Sequence, residues 1–259
     1  MIVEYHRPKT LDEAIRLLSK PDTRPLGGGT ALNRPSPERF AVVDLQALGL
    51  NKIHKSGNRL EIGATATLQA LLDSAHIPPA LQETIRLETT YNLRQMATVA
   101  GTLVSCDGRS TFATAMLALD AKCSVISYQS SVIYLGELLP LRNELLQGKL
   151  ITAITIPLNV KLAFETVART PADKPILCAA LAQWPSGRTR LALGGYGKAP
   201  TLAMDGNEPG GVEEAARNAY SEAGDEWASA EYRSDIAAVL AKRCLDYISS
   251  ETREKKSSA

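Results

Sequence analysis

The sequence of 259 residues predicts an α+β protein of two domains. Three observations lead there. Before Pro157, helix-spaced apolar segments alternate with short β-branched runs. After Pro157, three strand-like runs follow one another and then two helical stretches, so the second half segregates its strands from its helices. Two glycine-bearing segments, residues 25–32 and 97–103, interrupt or follow apolar strand-like sequence and not a low-complexity linker. The reading places one domain at 1–157, with subdomains of about 1–50 and 51–157, and a second at 158–259.

The elements follow in order. Thr10 is a good N-cap, and Glu13 three residues on completes a capping box. Leu11, Ala14, Ile15 and Leu18 recur at helical spacing until Lys20, Pro21 and Asp22 stop the helix. Residues 24–26 lead into the first glycine segment, and 41–45 read as a buried strand. The result is a strand, helix, strand, loop, strand unit. Residues 58–64 alternate apolar and polar as a half-buried strand does. Thr67 caps a helix through Leu68, Leu71 and Leu72, Pro78 and Pro79 break it, and 80–87 form another. Residues 111–121 are apolar on several sides and predict a buried helix. Residues 122–128 and 150–156 are strands rich in β-branched side chains.

In the second domain, 163–168, 176–184 and 188–194 predict three strands, with turns at Pro171 and at Pro185-Ser186-Gly187. Residues 211–223 and 232–248 predict helices. Tyr232, Ile236, Val239, Leu240, Arg243, Cys244 and Tyr247 share one face of the last. The charged stretch 249–259 reads as a frayed tail.

Composition removes several functions. Lys and Arg number 29 against 28 Asp and Glu, so no net charge draws the chain to nucleic acid or an anionic membrane. No apolar run reaches transmembrane length, and Glu4 and His6 interrupt any signal-peptide core, which predicts a cytoplasmic protein. Cys106, Cys123, Cys178 and Cys244 form no Cys-x-x-Cys pair, so no zinc or iron–sulfur site is expected and the thiols read as reduced and buried. Cys106 stands apart because it follows the second glycine segment. His6, His54 and His76 lack ligand spacing.

The glycine segments carry the chemistry. Consecutive glycines admit positive φ and close ligand approach, and successive inward N–H groups form an anion-binding concavity. Neither segment has the Gly-Lys-Ser/Thr ending of a nucleotide P-loop, and no G-x-G-x-x-G opens a helix, which argues against a nucleoside triphosphatase or a Rossmann dehydrogenase. Two such segments suggest a ligand with two phosphates clamped from two sides. The same residues serve equally as tight turns between strands.

The order of short motifs resolves this choice. Residues 5–14 open the pattern (Tyr-His-Arg-Pro-Lys-Thr-Leu-Asp-Glu-Ala), and the first glycine segment, Asp44-Leu45, and 60–64 (Leu-Glu-Ile-Gly-Ala) follow. Then come 93–103 (Leu-Arg-Gln-Met-Ala-Thr-Val-Ala-Gly-Thr-Leu), 117–121 (Leu-Ala-Leu-Asp-Ala), 148–151 (Gly-Lys-Leu-Ile) and 228–233 (Ala-Ser-Ala-Glu-Tyr-Arg). In this order the chain resembles the FAD-binding medium subunits of molybdenum hydroxylases, such as carbon monoxide and xanthine dehydrogenases. The resemblance implies a two-subdomain FAD-binding domain of the vanillyl-alcohol-oxidase/PCMH-like kind, followed by a three-stranded antiparallel sheet with helices. It implies FAD as cofactor, with Leu26, Gly27, Gly28, Gly29, Thr30, Ala31 and Leu32 on the pyrophosphate. Thr98, Val99, Ala100, Gly101 and Thr102 fall on the segment that contacts phosphate and the flavin edge, and Leu150 on a residue near the isoalloxazine ring. It also implies partners: an iron–sulfur small subunit and a molybdopterin large subunit, in a heterotrimer or a dimer of heterotrimers. The flavin subunit then passes electrons from the iron–sulfur clusters to NAD, quinone or dioxygen, and the substrate is oxidised elsewhere, so no catalytic side chain is expected here.

The chain departs from that family's pattern at named positions. Ala100 replaces the first glycine of a pair, where a methyl forbids easy positive φ. Thr102 stands where asparagine is common. Thr111 falls on an aspartate position that contacts cofactor hydroxyls, with Asp107 or Arg109 as neighbouring substitutes. Thr166 stands where many members place a lysine near the flavin. These departures motivate an alternative, a degenerate scaffold subunit that keeps the fold without the flavin.

Overall fold

The computed structural model describes residues 1–33 and 37–257. In chain order the elements begin with β1 (Ile2–His6), α1 (Leu11–Leu18), β2 (Thr23–Leu26), β3 (Phe40–Asp44), a 3-10 turn (Gln46–Leu48), β4 (Ile53–Ser56) and β5 (Arg59–Gly63). Helices α2 (Leu68–Leu72), α3 (Pro79–Glu88), α4 (Tyr91–Arg94), α5 (Val99–Ser105) and α6 (Thr111–Ala118) follow. Then come β6 (Lys122–Ile126), β7 (Ser130–Tyr134), α7 (Leu135–Leu145), β8 (Leu150–Pro157), β9 (Lys161–Val167) and β10 (Leu177–Gln183). The chain closes with β11 (Thr189–Gly194), β12 (Thr201–Gly206), α8 (Val212–Ala219) and α9 (Ala230–Ser257).

These elements cluster into two units. The first holds Met1–His76, Thr89–Ser105 and Ala121–Ile156, and the second holds Ile77–Glu88, Cys106–Asp120 and Pro157–Ala259. Two segments from before Pro157, carrying α3 and α6, therefore cluster with the C-terminal part.

In the first unit, α1 starts as its residues demand. The Thr10 hydroxyl accepts the Glu13 N–H, while the Glu13 carboxylate reaches back to the Lys9 N–H at 3.0 Å. The helix buries Ala14, Ile15 and Leu18. Strand β3 lies at the centre of a parallel sheet of order β1-β3-β2 and buries Phe40, Val42 and Val43. A second sheet has the order β4-β5-β8-β6-β7. Leu18, Val43, Leu45 and Leu150 share one apolar cluster, with Ile126 packed on it, which ties the two sheets together through α1.

Strands β4 and β7 and helices α4 and α7 lie outside the sequence expectation. Both strands are sheet edges with largely exposed side chains, so no alternation marks them. Helix α7 contains Pro140, and Leu141 leaves helical geometry there, which masks its period.

The second unit is built on an antiparallel sheet of order β12-β11-β10-β9. Three of these strands match the expected sheet, and β12 is a fourth, an edge strand with a mostly exposed surface. Side chains alternate across the sheet. Leu177, Ala179, Leu181, Leu191 and Leu193 join a core with Val212, Ala216, Ala237, Leu240 and Cys244 of α8 and α9. Helix α6 packs against β10 and β11 and is buried along its whole length. A strand covered on both faces reads as a continuous apolar run, which is why β10 carries no polar alternation.

Helix α9 corrects the expected face. Arg233, Ala237, Leu240, Ala241, Cys244 and Ile248 are buried, whereas Tyr232, Val239 and Tyr247 are exposed. The buried stripe is turned toward Arg233 because its guanidinium finds three acceptors: Ala223 O at 2.7 Å, Asp225 at 2.8 Å and Ile176 O at 3.4 Å. The helix also continues to Ser257 where a frayed tail was expected, through a Glu-, Arg- and Lys-rich stretch of good helix formers. Residues 258–259 of that tail lie outside the described residues.

Glu88 ends α3 with its carboxyl group partly buried against the start of α6. It accepts the Ser110 Oγ–H at 2.8 Å and the Phe112 N–H at 3.0 Å, with Thr111 Oγ1 3.3 Å away. Burial raises its pKa above the ordinary value in spite of these bonds. The native state thus keeps a proton that the unfolded chain releases near the ordinary glutamate value of about 4.3. Stability from this residue is greatest below that pH and falls as pH rises toward the raised native value. Thermal unfolding of Glu88→Gln is expected to gain on the wild type as pH increases through this window. Parallel curves for the two proteins would contradict the assignment.

Candidate functional site

The first glycine segment leaves the carboxyl end of β2, where the Leu45 N–H donates to Leu26 O at 3.0 Å. Ligand crevices form at such parallel strand ends. Gly29 takes the left-handed conformation at φ +73°, and the Asn33 N–H donates to Gly29 O at 3.1 Å to close the turn. The N–H groups of Gly28, Gly29, Thr30 and Ala31 have no protein acceptor among the described residues. Four successive free donors on one turn are a site for an anion.

Gly27 and Gly28 serve a different need. Their backbone presses on the second segment. A Cβ on Gly28 would overlap the Met96 carbonyl, and one on Gly27 would stand 2.8 Å from Thr98 Oγ1. Gly101 meets the same hydroxyl from its other side, at 2.7 Å for an added Cβ. The two segments are thus packed directly together around Thr98.

The second segment is a helix start, not a loop. Residues 99–105 are α5, and its leading amides are already committed. The Val99 N–H donates to Ala66 O, Ala100 N–H to Ala64 O, Gly101 N–H to Thr98 Oγ1 and Thr102 N–H to Thr98 O. This revises the expectation that both segments donate main-chain bonds: the first offers donors and the second braces it. It also removes the objection to Ala100, which sits in a helix, where a methyl is welcome.

Both segments line one cavity of about 1120 Å³ in the first unit. Of the expected residues, Gly27, Gly28, Gly29, Thr30, Ala31, Leu32, Thr98, Ala100, Gly101 and Leu150 line it. Leu26, Val99 and Thr102 do not. Val99 is fully buried, and the Thr102 hydroxyl donates back to Thr98 O. Leu150 forms part of the apolar wall with Leu18, Leu45, Leu146 and Ile151.

Asp107 and Thr111 belong to the second unit and have partners there. Thr111 is 1% exposed, and its hydroxyl donates to Thr84 O at 2.7 Å. It therefore holds α6 to α3. Asp107 pairs with Lys174 at 2.7 Å and accepts the Arg109 N–H. Burial opposes its ionisation, yet the Lys174 ammonium holds its pKa below the ordinary range. Arg109 donates to Lys174 O and Pro175 O, and Thr166 donates to Leu177 O.

The structure adds residues that sequence reasoning missed. Lys20, Arg24, Arg142 and Lys149 line the cavity against one carboxylate, Asp22. Arg24 pairs with Glu38 at 2.5 Å. An excess of cations suits a diphosphate although the whole chain is nearly neutral. Lys149 lies inside the 148–151 motif, whereas Lys20, Arg24 and Arg142 lie outside the collinear motifs, and only the fold brings the four together. No disulfide joins the four buried cysteines, and burial pushes the thiols of Cys123 and Cys178 up to about 12. Among the described residues no cluster of three or more His, Cys, Asp or Glu forms a metal site.

Residues 1–159 match the family described as the FAD binding domain in molybdopterin dehydrogenase. The chain is similar to the carbon monoxide dehydrogenase medium chain of Afipia carboxidovorans, 27% identical with 94% of this chain and 95% of that one covered. It is also 27% identical to the glyceraldehyde dehydrogenase medium chain of Sulfolobus acidocaldarius, over 78% of each. A solved Cu,Mo-CO dehydrogenase superposes with a TM-score of 0.79 at 27% identity, covering 95% of this chain and 97% of the other. Quinoline 2-oxidoreductase from Pseudomonas putida 86 shares the fold at 22% identity with a TM-score of 0.77, covering 93% and 95%.

Gly28→Ala is expected to force the two segments apart and to cost on the order of 3 kcal/mol by chemical denaturation, more than the Gly49→Ala control. Gly49→Ala is the control. Gly49 is left-handed at φ +66° with nothing within 4 Å of an added Cβ, so only the conformational cost of about 1–2 kcal/mol applies. Equal losses in the two variants would show that close approach is not what Gly28 provides.

Proposed function

Because the chain belongs to the FAD-binding family of molybdopterin dehydrogenases, we propose that it is the flavoprotein electron-transfer subunit of a molybdenum hydroxylase. It is an oxidoreductase subunit with FAD as cofactor. In this reading it receives electrons from iron–sulfur clusters on a small partner subunit and delivers them to NAD, quinone or dioxygen. The substrate is oxidised on a large molybdopterin subunit, in a heterotrimer or a dimer of heterotrimers. The medium-chain names of the relatives support a multi-subunit setting. Buried cysteines outside any disulfide support a reducing, cytoplasmic one.

One observation carries the reading: a run of free main-chain donors lines a cation-rich cavity large enough for a dinucleotide. FAD supplies, when bound, a carrier that exchanges electrons singly or in pairs. The chain's residues bind and orient it. Gly28, Gly29, Thr30 and Ala31 donate N–H groups to the diphosphate, each such charge-assisted bond contributing about 1.5–3 kcal/mol. Thr98, with its oxygen accepting the Gly101 N–H, keeps its own hydroxyl proton for a ligand oxygen. Lys149 and Lys20 balance phosphate charge, and Leu150 and its apolar neighbours exclude water from a ring. The scaffold alternative loses the support it drew from Ala100, since the helix there accommodates the methyl.

The test is a flavin titration of the full chain, purified alone and with its partner subunits. About one FAD per chain is expected, with affinity falling as salt rises, because the cavity neutralises phosphate charge. A chain that binds no flavin in either state, within an active complex, would establish the scaffold reading instead.

A further inference from the structure

Tyr128 is the most exposed large apolar side chain among the described residues, at 88%. It sits on the turn between β6 and β7 and lines the cavity of the first unit. Strand β6 ends at Ile126, which pairs with Leu150 at the start of β8, so Tyr128 follows two residues beyond that pair. Gly148, Lys149 and Leu150 line the same cavity. Three other exposed tyrosines have side-chain partners. Tyr5 donates to Asp44, Arg94 lies over Tyr91, and Lys122 lies over Tyr134 on the same hairpin. Tyr128 makes no hydrogen bond or ring contact among the described residues.

An unpaired aromatic ring leaves a large apolar area in water, and its π-face favours stacking on another flat ring. FAD carries two such rings, adenine and isoalloxazine. We propose that Tyr128 is a stacking platform for one ring system of the bound dinucleotide, closing the cavity end formed with Lys149 and Leu150. This inference rests on the FAD reading above. Because the side chain is exposed, its replacement leaves folding intact, so binding changes report on the ligand.

The experiment titrates the flavin-free full chain with FAD and, separately, with ADP, for the wild type, Tyr128→Leu and Tyr128→Phe. Tyr128→Leu is expected to weaken FAD about fivefold or more, and Tyr128→Phe, which keeps the ring, to stay within about twofold of wild type. A parallel loss for ADP identifies adenine as the stacked ring. Unchanged ADP binding with a changed flavin fluorescence yield identifies isoalloxazine. Tyr128→Leu that matches a flavin-binding wild type in affinity and fluorescence overturns the stacking role alone. A wild type that takes up no FAD overturns the function reading and this inference together.

Discussion

The backbone of Gly27 and Gly28 lies against Met96 and Thr98 with no room for a β-carbon, and the candidate site depends on that contact. The contact holds the turn at Gly29 beside α5, so that the free N–H groups of 28–31 stand on a cavity wall. Three backbone bonds, from Leu68 N–H to Ala97 O, Val99 N–H to Ala66 O and Ala100 N–H to Ala64 O, fasten the supporting segment to the five-stranded sheet side of the unit. The donors are thereby fixed before a ligand arrives, which lowers the ordering cost of binding. Thr98 is the hinge of this arrangement, flanked by glycines on both segments and bonded to the helix it starts.

Division of labour within the cavity follows from hydrogen-bond accounting. A main-chain amide bonded to a carbonyl offers nothing to a ligand, and an unbonded one offers nearly its full strength. Two segments that look alike as sequences therefore differ in role. Lysines and arginines line the same cavity as those amides.

The second unit manages buried polarity by a different means. Arg233 is fully buried and saturates two carbonyls and Asp225, and Tyr196 lies under its guanidinium. Burial pushes the Asp225 carboxyl up, but Arg233 and two backbone N–H groups hold it below the ordinary range. Arg190, also buried, joins Asp120, Asp205 and Leu117 O. Removing one partner of such a pair leaves the other charge stranded, whereas replacing the whole set by apolar groups of like volume is often neutral.

Amphipathic periods, caps and turn residues are local properties, and they made α1, α2, α6, β3, β5 and the first three strands of the antiparallel sheet readable in order. The collinear motifs did the same for family and cofactor. Edge strands β4, β7 and β12 escaped because a strand exposed on most of its surface needs no alternating pattern. The face of α9 was misread because a buried arginine with three acceptors counts as polar in any hydropathy pattern. Which amides are free, that Ala100 is helical, that Thr111 is committed to Thr84, and that Lys20 and Arg24 meet Arg142 and Lys149 at one cavity are all outcomes of long-range packing. Spacing along a chain limits what neighbours can do; only the folded geometry settles which groups from separate stretches come together and which hydrogen bonds are left open.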